Sequence, residues 1–121
     1  MSVLPFASLA PGAPPRGWNS YDSFTWFINE TQFLQNCQYM ADNLLQHGYN
    51  TCVVDYLWYQ TSVTGEWLLD DYCRPKPDPS RWPSSKHGAG FRPIADKVHA
   101  MGLKFGCART TLIAHPLACP S

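Results

Sequence analysis

The chain has 121 residues, is 45% hydrophobic and 15% charged, and balances nine basic against nine acidic residues for a formal net charge of zero. That excludes a disordered or strongly charged protein. One small domain is the default at this length, which is also about half of the roughly 250 residues that a closed α/β barrel needs.

No stretch reaches the roughly 18 consecutive apolar residues of a membrane span. The opening MSVLPFASLA lacks a positive n-region and is broken by Pro5. A soluble chain without a recognisable signal peptide or membrane partner is expected. The zero balance hides an asymmetry: up to Cys73 there are seven acidic residues and one basic, Arg16, and from Arg74 onward eight basic and two acidic. The cations of the second half are scattered among prolines and helix-surface positions, so nucleic acid is not the expected partner.

Ala10 to Pro15 is a Pro/Gly-rich lead-in, and Gly17-Trp18-Asn19-Ser20-Tyr21 reads as a first strand. Asn29-Glu30-Thr31-Gln32 has the form of a capping box, which places a helix start near Glu30. Phe33, Cys37, Met40, Ala41, Leu44 and Leu45 fall on one stripe of that helix, and Gly48 is placed to stop it. Tyr49 to Tyr59 follows as a β-prone run with one charge, the pattern of a strand covered on both faces.

Gln60 to Gly90 is a long connection rich in Pro, Asp and Ser, longer than ordinary loops and of the kind that carries function. Phe91 to Met101 then places Ile94, Ala95, Val98 and Met101 on one helical face, closed by Gly102, and Leu103 to Cys107 reads as a third strand. The order β-α-β-α-β calls for a parallel sheet covered by helices. From Ala108 the tail has neither helical nor strand periodicity.

Five cysteines form no C-x-x-C pair, and an odd number cannot all pair within one chain, so the redox compartment stays open at this level. The gaps among His99, Cys107, His115 and Cys119 match no zinc spacing, and no metal or cofactor is expected. Asp55 is the one acid inside the apolar second-strand run, near its C-terminal end, where parallel α/β sheets bind ligands. Bracing a neighbouring loop is as good a reading of it as ligand binding. Trp18, Tyr21, Tyr56, Trp58 and Tyr59 lie at or near the strand ends, as a saccharide site or an aromatic core would have them. Asn29-Glu30-Thr31 is also an N-x-T glycosylation acceptor, read here as a helix cap unless the protein is secreted. Glycoside hydrolysis generally uses two flanking carboxyls, and no spacing among Asp22, Asp55, Asp70 and Asp71 identifies such a pair.

Four blocks in order carry a resemblance. Pro14-Pro15-Arg16-Gly17-Trp18-Asn19-Ser20-Tyr21 resembles the P-P-M-G-W-N-S-W/Y opening of the α-galactosidase (melibiase) enzymes, glycoside hydrolase family 27. Met40-Ala41-Asp42, Gly48-Tyr49 and Val54-Asp55-Tyr56-Leu57-Trp58 continue it. Pro77-Asp78-Pro79-Ser80-Arg81-Trp82-Pro83-Ser84 resembles the family's P-D-P-x-R-F/W-P-S loop, and Ile94 to Gly106 its A-D-x-V-H-x-x-G-L-K-x-G segment.

The resemblance implies the first three strands of a (β/α)8 TIM barrel over residues 14–107, preceded by an extension (1–13) and followed by a divergent tail (108–121). It implies a retaining glycosidase acting on a galactoside or related pyranoside, with no cofactor, in a family often secreted or vacuolar. The nucleophilic Asp and the acid/base Asp of the family follow strands four and six, beyond Ser121, so no catalytic residue is assigned and the chain by itself is expected to be inactive. The alternative is a non-catalytic carbohydrate-binding or vestigial fragment. Trp18, as a wall under the sugar ring, and Asp55, as an acceptor of sugar hydroxyls, are the substrate-binding residues it implies, with Tyr56 and Trp58 beside them. Where the family usually has Asp-Asp-Cys-Trp, this chain has Asp55-Tyr56-Leu57-Trp58, which removes one hydroxyl-accepting carboxylate and points to a pyranoside related to galactose.

Overall fold

The computed structural model describes residues 14–108. The expected extension at 1–13 and the tail from 109 onward lie outside the described residues. The elements are β1 (Gly17–Asn19), α1 (Tyr21–Phe24), α2 (Glu30–Asn43), β2 (Thr51–Val54), α3 (Arg92–Ala100) and β3 (Lys104–Cys107), with single 3-10 turns at Leu45–His47 and Pro83–Ser85. The three strands are parallel in the order β1-β2-β3, with Trp18 opposite Cys52 and Cys52 opposite Phe105. This is the β-α-β-α-β unit expected, one open sheet forming part of a barrel.

Helix α2 begins where the capping box predicts. The Asn29 side chain accepts from the backbone N–H of Gln32 at 2.9 Å, and the Gln32 side chain accepts from the backbone N–H of Asn29 at 3.2 Å. The helix proper stops at Asn43, earlier than the apolar stripe suggests, and a 3-10 turn carries the chain to Gly48, whose φ of 85° turns it into β2.

Strand alternation gives the sheet two unlike faces. Trp18, Cys52, Val54 and Phe105 form the face under the helices. Phe33 of α2 packs against Trp18, Trp82 and Phe105, with ring centroids 5.9 to 6.0 Å apart. Phe91 meets Phe105 and Trp82 from the start of α3. Phe33, Cys52, Val54, Trp82, Ile94 and Val98 are fully buried in this layer; each large apolar side chain so buried stabilises the fold by about 1.5–3 kcal/mol. A disulfide between Cys37 and Cys52 ties α2 to β2 directly.

The opposite face carries Gly17, Asn19, Thr51, Val53, Lys104 and Gly106, small or polar and all partly or fully open to solvent. Close strand approach explains the glycine at 17, where a Cβ would meet the Thr51 carbonyl oxygen at 1.9 Å. In a complete barrel this face is the interior.

Two expectations need correction. The apolar run from Tyr49 to Tyr59 is strand only over Thr51–Val54. After Asp55 the chain turns, and Leu57 sits at φ 60°, outside any strand geometry. Leu57, Trp58 and Tyr59 are nevertheless buried, so the run reflects burial of a turn rather than an extended strand. Likewise β1 ends at Asn19, and Tyr21 opens the short helix α1.

Candidate sugar-binding site

At the C-terminal ends of β1 and β2 one carboxylate is held by its neighbours. Asn19 Nδ2 donates to Asp55 Oδ2 at 2.7 Å, and the Tyr56 backbone N–H donates to Oδ1 at 2.7 Å. The Asp55 N–H itself donates to Ser20 Oγ at 2.9 Å. Asn19 is oriented in turn by the Tyr21 N–H, which donates to its Oδ1 at 2.8 Å. Each carboxylate oxygen of Asp55 has one donor here and capacity for a further one, which suits sugar hydroxyls. The rings of Tyr21 and Tyr56 meet edge to face with centroids 6.2 Å apart, and both are exposed beside this carboxylate.

The Gly17-Trp18-Asn19-Ser20-Tyr21 block is thereby explained residue by residue: close approach, core ring, Asp55 donor, Asp55 N–H acceptor and rim aromatic. The Cys107 thiol at the end of β3 is pushed up to about 12, by the protein packed around it and then by the Asp55 carboxylate, although its outer edge is open to solvent.

Of the four expected substrate-binding residues, the structure brings together Asp55 and Tyr56. Trp18 lies on the helix side of the sheet, against Phe24 and Phe33, with Nε1 donating to Ser23 Oγ at 3.4 Å. Its place in β1 is one residue out of phase with Asn19, so it points away from the open face. Trp58 is only 7% exposed, packed on Tyr59 and Phe91, with Nε1 donating to the Ala108 carbonyl at 3.0 Å. Trp58 belongs to the buried core, and Trp18 is a partly buried ring packed against it. Asn19 was missed, though period-two alternation from Gly17 would have placed it beside Asp55.

The loop block Pro77 to Ser84 forms a clamp behind this rim. Arg81, 7% exposed, pairs through Nε with Asp78 Oδ2 at 3.2 Å, and Asp78 is 2% exposed. Its Nη1 donates to the carbonyls of Trp26 at 2.7 Å and Ile28 at 3.3 Å, and its Nη2 to those of Leu57 at 2.5 Å and Gln60 at 2.8 Å. One guanidinium thus ties together the connections that follow β1 and β2. Burial pulls its pKa below the ordinary arginine value, and the hydrogen bond and charge of Asp78 oppose that.

A cleft of about 810 Å³ lies farther along the long connection, lined by Asp70, Asp71, Arg74, Lys76, Lys86 and His87 among others. None of the four expected residues lines it. Asp70 is engaged within its own turn, accepting from the N–H groups of Tyr72 and Arg74 and from Arg74 Nε. The candidate site is therefore placed at Asp55, where a held carboxylate with spare acceptor capacity adjoins two exposed rings.

Known proteins align with this frame. Human alpha-N-acetylgalactosaminidase is 35% identical over 101 residues, 77% of this chain and 22% of that protein. The GH27 β-L-arabinopyranosidase of Geobacillus stearothermophilus, solved with arabinose, superposes with a TM-score of 0.75 at 39% identity over 78% of this chain and 23% of that one. The chain belongs to glycoside hydrolase family 27. Alpha-galactosidase I of Mortierella vinacea shares the fold at a TM-score of 0.62 and 25% identity. The family chain described here spans about a fifth of the length of the human relative. No protein-family model matches the sequence.

Proposed function

We propose that this chain is the sugar-recognising first part of a family 27 glycosidase barrel, and that its rim takes a terminal pyranoside of galactose configuration or its arabinopyranose counterpart. The single observation that carries this reading is the Asp55 carboxylate, fixed by Asn19 and the Tyr56 N–H at the strand ends with spare acceptor capacity. Asp55 accepts from ring hydroxyls, and Tyr21 and Tyr56 pack against the C–H face of the sugar. Tyr56 stands where the family resemblance implies a second carboxylate, so the rim holds the sugar with one acid and two rings. Arabinopyranose lacks the exocyclic hydroxymethyl group of galactose and so asks for fewer hydroxyl acceptors, which suits this simpler rim.

The chain by itself binds and does not hydrolyse. Retaining hydrolysis generally needs two carboxyls about 5 to 5.5 Å apart across the bond, and the reading is supported by this chain's spanning about a fifth of the human relative. Saturation-transfer NMR of the full chain with galactose, L-arabinose and glucose tests the binding, and release of nitrophenol from a nitrophenyl α-galactoside tests the hydrolysis. Transfer to galactose or arabinose without nitrophenol release is expected. Equal transfer to glucose, or turnover, would contradict the reading.

A further inference from the structure

The N-x-T acceptor at the start of α2 has a setting that helix capping alone does not require. Across Phe27-Ile28-Asn29-Glu30-Thr31 burial alternates: Ile28 and Glu30 are buried, while Phe27, Asn29 and Thr31 are exposed. The inward pair is anchored. The Glu30 N–H donates to the Arg81 carbonyl at 2.9 Å, and Glu30 Oε2 accepts from the Ser84 N–H at 2.9 Å. The outward set is presented to solvent on a fixed helix start.

The cap uses only half of the Asn29 amide. Oδ1 accepts from the Gln32 N–H, and Nδ2 makes no hydrogen bond among the described residues. A group attached to Nδ2 leaves the cap acceptor untouched. Phe27, two residues before Asn29, is 64% exposed and meets Trp26 edge-on, leaving ring surface to solvent. An exposed ring beside an amide-linked sugar can pack on its C–H face.

A separate observation points to an oxidising environment. Cys37 and Cys52 form a disulfide between α2 and β2, and Cys73 is disulfide-bonded as well. Persistent disulfides belong to oxidising compartments, where N-linked glycans are also added.

We propose that Asn29 is an N-glycosylation site, with Thr31 as its hydroxyl residue and Phe27 as the ring on which the first sugar rests. In the transfer, Nδ2 forms the bond to the anomeric carbon of an oligosaccharide carried on a polyprenyl diphosphate. The sugar–phosphate bond breaks, the lipid diphosphate leaves, and Nδ2 loses one proton. Because Asn29 follows β1 and α1, the glycan stands at the strand-end rim, the same end of the sheet as Asp55.

The test is translation of the full chain behind a cleavable leader in the presence of microsomes, with a known sequon protein as control. Glycan addition precedes folding, so the readout does not depend on a stable product. One glycan, removed by peptide amidase and mapped to Asn29 by mass spectrometry, is expected. Asn29→Gln, Asn29→Asp and Thr31→Ala abolish it, Thr31→Ser retains it, and Phe27→Ala, which removes only a contact of the folded chain, leaves its addition intact and speeds its removal by peptide amidase from the native protein. Asn29→Asp keeps the cap acceptor, which separates capping from modification. An unmodified wild-type chain beside a modified control, or a glycan that survives Asn29→Gln, would overturn the proposal.

Discussion

Arg81 Nη2 donates to the carbonyl of Leu57, 24 residues earlier in sequence, at 2.5 Å. Leu57 is buried and holds φ at 60°, a conformation that costs a leucine of order 1–3 kcal/mol and persists only where its surroundings impose it. The guanidinium supplies that constraint two residues from Asp55, so the loop block most telling of the family acts by shaping the turn that follows the candidate sugar-binding acid.

Replacing Arg81 by Met leaves Asp78 buried without its cation and strips donors from four backbone carbonyls. Removing one partner of a buried pair costs about 3–5 kcal/mol. Urea unfolding of R81M at micromolar concentration should show a loss of this size. A change below about 1 kcal/mol would mean that the clamp is dispensable.

The Cys37–Cys52 bridge closes a separation of 15 residues, for which loop entropy gives about 3 kcal/mol. The double variant Cys37→Ala/Cys52→Ala should lose roughly that amount in the same unfolding measurement. The other bonded cysteine, Cys73, is untouched in this variant, so the effect reports the α2–β2 staple alone.

The two faces of β1 predict opposite phenotypes. Trp18→Ala should lower stability by about 1–3 kcal/mol and leave sugar affinity unchanged. Tyr56→Ala should leave stability nearly intact and weaken galactose or arabinose binding by about 2- to 10-fold, the value of one ring contact. Parallel denaturation and NMR titration separate the two, and sugar binding that depends on Trp18 but not Tyr56 would reverse the assignment of faces.

In the long connection, the Arg74 backbone N–H, its guanidinium and the Tyr72 N–H hold the Asp70 carboxyl below its ordinary value of 3.8. A carboxyl with a depressed folded-state pKa adds its stabilisation above its unfolded value and loses it as pH falls through the lower folded one. The Asp70 resonance should titrate below 3.8, and Arg74→Ala, which deletes the side-chain donor and charge, should move the midpoint upward. A midpoint unmoved by that change would show that the pair contributes nothing to the turn.

Much of the fold could be read from the residues because its signals are local. The capping box at Asn29 and Gln32, the stripe from Phe33 to Met40 and the glycine stop at Gly48 each act within a few positions. The β2 boundary was not legible, since Leu57, Trp58 and Tyr59 are as apolar as strand residues and only the positive φ of Leu57 ends the strand. At the site, Asp55 stood out as a lone acid in an apolar run. The places of Trp18 and Trp58 were not legible, because a tryptophan near a strand end serves core or ligand equally well until the strand's phase is known. Arg81 was hidden for a different reason: four of its partners are backbone carbonyls from the connections after β1 and β2, and carbonyls leave no trace in side-chain sequence.

The central claim is that Asp55 is a sugar-binding acid, and its most direct test is the affinity of the full chain for galactose and L-arabinose with and without Asp55→Asn. The substitution keeps size and shape and removes the charge that strengthens hydroxyl hydrogen bonds, an effect of about 1.5–3 kcal/mol. A weakening of roughly 10- to 100-fold with an unchanged unfolding midpoint is predicted. Equal affinity in the two proteins, or a loss of binding matched by loss of fold, would contradict it.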